Sequence, residues 1–229
     1  MRDGTFIAVS VEDAMMSDWR EKMPDRIKRL PQDERGFPVP WFVAWIDDVP
    51  DFRVVDTPKI GIAVKQHRCF ICGERLGQHL AFVVGPMCTI SRTVPEPPSH
   101  RGCAEFSAKV CPFLSKPRMR RNEKDLPENK KAPAGIMIPR NPGVVCLWVT
   151  RHFRPYKAQH GVHGVLFEIG LPEEVEWYAE GRKATRDEIM HSIDTGLPIL
   201  RGMAEQDGPD GLAAFDKLRL EALKLVPAT

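Results

Sequence analysis

The chain has 229 residues, 28% of them charged and 42% hydrophobic, with a formal net charge of +2. That length holds one large domain or two small ones and buries a core without covalent staples. The near balance of charge excludes a strong global field drawing the protein to nucleic acid or membrane, and no window approaches the roughly 18 apolar residues of a membrane span.

The N-terminal stretch "MRDGTFIAVSVEDAMMSDW" has a short apolar patch before acids appear, without the apolar core and cleavage site of a signal peptide. The expected location is the cytoplasm, where thiols stay reduced. Residues 12–30 predict a helix, because Met16, Trp19, Met23, Ile27 and Leu30 recur at intervals of three and four. Pro24 starts a second short turn and Pro31 ends it. "FPVPWFVAWIDDVPDFRVVD" predicts two strands around an Asp47-Asp48 turn. The following "PKIGIAVKQH" fits helix or strand equally.

Residues 69–111 hold five of the six cysteines and two of the seven histidines. After them, residues 115–135 are polar, proline-containing and basic, and read as a linker or surface loop. The second half restarts with the β-rich "GVVCLWVTRHF". "GVLFEIG" and "EVEWYAEG" predict a hairpin. Thr185 and Glu188 make a capping box, so a helix is expected over about 186–194, stopped by Gly196. "PILRGMAEQ" and "GLAAFDKLRLEALKLV" supply the last helices, with Asp210 as the candidate cap of the second. The domain organisation expected is 1–114, a linker at 115–135, and 136–229.

The chemistry lies in the cysteine region. Cys69 and Cys72, followed by Gly73, form a knuckle that turns two sulfurs toward one point. His100 and Cys103, at i and i+3, share one face at the start of a helix. "ERLGQHLAFVVG" between them reads as a hairpin. Knuckle, hairpin and ligand-bearing helix make a treble-clef-like arrangement. The fold class expected is therefore α+β, a treble-clef-like zinc domain followed by a small β-hairpin and helix domain. Structural zinc takes four tetrahedral N or S ligands, and Cys69, Cys72, His100 and Cys103 supply them; Cys88 is the alternative to His100. Cys111, placed before Pro112 at a helix end, is expected to pack rather than react, and Cys146 to be a small buried hydrophobe.

A full ligand set argues against a catalytic zinc, which keeps an open position. The HNH nuclease signature is missing, since "AFVVGPMC" carries neither Asp nor His where that motif needs them. None of the dinucleotide, P-loop, nucleophile-elbow or zincin motifs is present. His152, His160 and His163 cluster in one stretch, either as solvated surface or as a second site. Arg118, Arg120 and Arg121 are the candidate nucleic-acid contacts, against the plainer reading of a solvated basic loop.

"LPQDERGFPVPWFVAWIDDVPDFRVVD", "CFICGERLG", "AFVVGPMC", "EPPSHRGCAEFSAKVCPFL" and "EGRKATRDEIMHSIDTGLPIL" together resemble a family of uncharacterised proteins of tailed phages and bacterial prophages. The resemblance covers most of residues 30–201 and implies a mobile-element setting in a bacterial cytoplasm, but no reaction. The function expected is a zinc-stabilised, non-enzymatic binding protein whose partner is nucleic acid or a host protein, not a membrane. The alternative is a small metal- or cysteine-dependent enzyme using Cys88, Cys111 or the cluster of His152, His160 and His163.

Overall fold

Val144–Thr150 is buried at every position and forms a strand whose alternate side chains enter two different apolar clusters. Val145, Leu147 and Val149 point one way, while Val144, Cys146 and Trp148 point the other. A strand with apolar residues on both faces needs a layer on each side, and the architecture follows from that need. The computed structural model describes residues 19–116, 124, 134–135, 141–157 and 164–228.

In chain order the named elements are α1 (Asp25–Lys28), β1 (Val43–Ile46), β2 (Val49–Val55), α2 (Thr57–Lys65), β3 (Leu80–Val84), α3 (Pro86–Ser91), β4 (Thr93–Val94), α4 (Arg101–Val110) and α5 (Pro112–Ser115). Then come β5 (Val144–Thr150), β6 (Phe153–Lys157), β7 (Val165–Ile169), β8 (Glu174–Ala179), β9 (Arg182–Lys183), α6 (Arg186–Gln206) and α7 (Gly208–Leu223). The fold class is mixed α and β. The largest sheet has the order β3-β5-β8-β9, a second has β4-β7-β6, and β1 and β2 pair alone. All strand pairs are antiparallel.

One face of the large sheet carries α4, which packs through Ala104 and Ala108, both fully buried, against Ala81, Val145, Leu147 and Val149. Such small residues let a helix approach a sheet closely. The opposite face meets α3, α6 and α7, with Phe82, Trp148, Trp177, Ile189, Ile193 and Phe215 in one continuous core.

Several expectations hold. Pro24 precedes α1, and Met23 and Ile27 are buried. β1 and β2 make a hairpin at Asp47 and Asp48, both with positive φ (49° and 62°). Such a pair matches the strand twist in a two-residue hairpin. The ambiguous segment is α2, begun by Pro58 in its first turn. The Thr185 capping box is present in both directions.

Other expectations need correction. "GVLFEIG" and "EVEWYAEG" are not a hairpin: β7 pairs with β4 and β6, and β8 pairs with β5 and β9. Gly196 does not stop a helix, since α6 runs through it and Pro198 to Gln206. Gly196 is buried within that helix. Asp210 lies within the first turn of α7 rather than capping it. The segment after the knuckle forms no hairpin of its own, for Arg75 bridges back to Arg68 while β3 pairs with β5. The 115–135 stretch does not divide two cores, because β3 and β5 come from either side of it and share a sheet. Arg118, Arg120, Arg121, His160 and His163 lie outside the described residues.

Candidate metal centre

The knuckle begins where β-bridge pairing of Arg68 with Arg75 closes a short loop. The Cys69 amide donates to Glu74 O at 2.7 Å and the Gly73 amide to Cys69 O at 2.8 Å. Gly73 takes φ +74°, and a Cβ there would stand 2.7 Å from the Trp41 ring. The loop is tied to the body by Trp41 N–H to Ile71 O (2.7 Å) and Phe70 N–H to Pro98 O (3.1 Å). Two amides point at the first sulfur: that of Cys72 within the loop and that of His100 from outside it each donate to Cys69 Sγ at 3.4 Å. Amide donors of this kind stabilise a thiolate.

The other ligands come from α4. Ser99 and Ala81 exchange two backbone hydrogen bonds of 2.8 Å, which fixes the segment leading into the helix against β3. His100 is the N-cap and Cys103 the third helical residue, so both face the knuckle. The helix N-terminus also favours negative charge on Cys103.

Cys69 Sγ, Cys72 Sγ, a His100 ring nitrogen and Cys103 Sγ lie within 4.8 Å of one another. His100 Nε2 is 3.0 Å from Arg75 O. A carbonyl only accepts, so Nε2 carries the proton and Nδ1 offers its lone pair inward. Nδ1 stands 3.3 Å from Cys72 Sγ and 3.9 Å from Cys103 Sγ. A tetrahedral ion with ordinary Zn–S and Zn–N bonds would hold such atoms about 3.6 Å apart. The donor set and its spacing therefore fit a metal ion, and a backbone carbonyl orienting the ligand imidazole is the usual outer support of such sites. The three cysteines are buried and His100 is half-buried.

Among the protein atoms alone the protons are shared unequally. Burial pushes the Cys69 thiol up, but hydrogen bonds from Cys103, Cys72 and His100 outweigh it and hold Cys69 far below the usual thiol range. Cys103 is pushed far up by its hydrogen bonds to Cys69 and Cys72, then by burial. The His100 imidazole is raised to about 10 by hydrogen bonds to Cys69 and Cys72, against burial. Cys69, His100 and Cys103 thus titrate together rather than singly.

Cys88 is not in the cluster. It lies on α3 against the main core, and burial pushes its thiol up to about 11. Cys111 caps the C-terminus of α4 and its thiol is also raised by burial. Cys146 is wholly buried in β5, where burial raises its thiol to about 12. A thiol raised in this way is a poor nucleophile at neutral pH. His152 is exposed and away from the cluster. Sequence reasoning missed Arg75, whose carbonyl orients His100; no side-chain pattern marks a backbone contact.

Among the described residues no helix is long and apolar enough to cross a membrane. Comparison with known proteins finds no matching family model, no matching curated protein and no matching solved structure.

Proposed function

We propose that the protein is a zinc-stabilised binding module without catalytic activity, in which the ion fastens the knuckle to the start of α4. The observation that carries this reading is the closed set of four donors, three buried sulfurs and an imidazole oriented by Arg75 O. Four protein ligands fill a tetrahedral ion and leave no position for substrate. Zinc is favoured over harder cations because thiolates are soft ligands. The knuckle followed by a helix with ligands at its cap and third residue is treble-clef-like in this reading, with β3, α3 and β4 taking the place of a simple hairpin. The resemblance to phage and prophage proteins supplies the setting, a mobile element in a bacterial cytoplasm. Nucleic acid or a host protein is the partner class.

Element analysis of the purified protein decides the metal. One zinc per chain, with Cys69, Cys72 and Cys103 protected from alkylation until a chelator is added, is the expected result. Metal-free protein whose thiols all titrate in the native state would sink it. Mild alkylation of the loaded protein also separates module from enzyme: Cys88 alone or nothing should label, while fast labelling of Cys111 would favour a cysteine enzyme.

A further inference from the structure

Two short segments flank the knuckle and lie side by side. The Leu76 amide donates to His67 O at 2.8 Å, the His67 ring is 3.3 Å from Gly77 O, and Arg68 bridges Arg75. Lys65, His67, Arg68 and Arg75 are exposed there, while Gln78 meets Arg151 and His79 meets Glu173 at the far end. The one acid between residues 65 and 79, Glu74, is held by Arg26 and Arg29. Arg68 turns to neutral partners, Gln66 Oε1 at 2.8 Å and Gly73 O at 2.9 Å. Among the described residues Lys65, Arg68 and Arg75 meet no carboxylate at ion-pair distance. Like charges at opposed positions of antiparallel strands destabilise the pair, and here the Arg68–Arg75 pair gains no local relief from an acid.

We infer that this knuckle face binds the phosphate backbone of a duplex nucleic acid, with Lys65, Arg68 and Arg75 as its phosphate contacts. The inference rests on the metal-site reading, since the knuckle holds the two segments in place. Guanidinium groups suit phosphate oxygens by their planar fork. A duplex is favoured over a single strand because Phe70, the one aromatic residue of the stretch, is buried and cannot serve as a stacking platform. Contacts to the backbone alone position a duplex without reading its sequence.

The test is fluorescence anisotropy with a short labelled duplex, comparing wild type, the double variant Lys65→Ala with Arg75→Ala, and the triple variant Arg118→Ala, Arg120→Ala, Arg121→Ala. Three neutralised phosphates predict that affinity falls about forty-fold between about 50 and 200 mM salt. The double variant should bind more weakly and lose only about three- to four-fold over that range. Arg75→Ala keeps the backbone carbonyl that orients His100, so the metal content should equal that of wild type, and with the like-charge pair removed the melting temperature should not fall. Wild-type affinity in the double variant overturns the proposal, as does loss of binding in the triple variant alone. No duplex binding at about 50 mM salt, or binding of polyglutamate in its place, overturns it also. Metal content is measured separately, so metal-free protein defeats the zinc reading while the affinity comparison still judges the face.

Discussion

At Gly73 a side chain would have nowhere to go. The backbone is left-handed, and a Cβ would stand 2.7 Å from the Trp41 ring. Gly73→Ala should cost about 1–3 kcal/mol through strain and contact, and it should weaken metal binding because Cys72 precedes it directly. Thermal melts with and without added zinc check both effects. The ligands themselves predict a pH dependence. The imidazole of His100, raised to about 10, and the raised thiol of Cys103 are both protonated at neutral pH before a metal enters. Metal displaces those protons, so affinity should rise with pH, by about two log units per unit if two protons leave. Acid should release the ion. Competition with a chromogenic chelator across pH measures the slope, and a flat profile would refute the assignment of these ligands.

Among the elements, α4 matters most, because it holds two ligands at one end and a tight sheet contact along its length. Ala104 and Ala108 leave no room against β3 and β5. Ala108→Leu should destabilise by about 1–3 kcal/mol. If the helix shifts to make space, metal affinity should fall as well, which a zinc titration of the folded variant reads. The outer side of α4 is fastened by Arg101, which bonds Glu105 and reaches Glu174 and Glu176 on β8. Lys109 joins Glu105, and Lys183 joins Glu176. Helix α6 offers a simpler case. Thr185 accepts from Glu188 N while Glu188 returns to Thr185 N at 2.8 Å. Thr185→Ala should cost about 1 kcal/mol. Hydrogen bonding from Arg182 holds the Glu188 carboxyl down at about 2. A depressed carboxyl contributes stability above its unfolded value and loses it as pH falls toward the folded value. Thus the penalty of Glu188→Gln, which removes that charge, should shrink in denaturant melts between about pH 4 and pH 2.

For the whole molecule, the continuous core sets the expectation. Met23 and Ile27 near the start of the described residues and Phe215 and Val226 near their end share one cluster with Cys69, Cys72 and Cys103. Metal removal should therefore lower the stability of the whole described fold in a single transition, rather than loosen the first half alone. Tryptophan fluorescence and far-ultraviolet circular dichroism should melt together with chelator present; two separated transitions would show independent halves.

The cluster of Cys69, Cys72, His100 and Cys103 was legible because its chemistry is local. A CxxCG knuckle and a histidine three residues before a cysteine on one helix carry their own geometry. So do the Asp47-Asp48 turn and the Thr185 capping box, each completed within a few residues. The partner of each strand was not legible. β3 and β5 are separated by the 115–135 stretch, and β7 and β8 are neighbours in sequence but belong to different sheets. Alternation fixes which side chains share a face, but strands of similar apolar content compete for the same neighbours until the layers assemble. The choice of His100 over Cys88 was decided the same way. Both residues could ligate, and only the packing of α3 into the core and the Ala81–Ser99 pairing bring one to the knuckle and leave the other away.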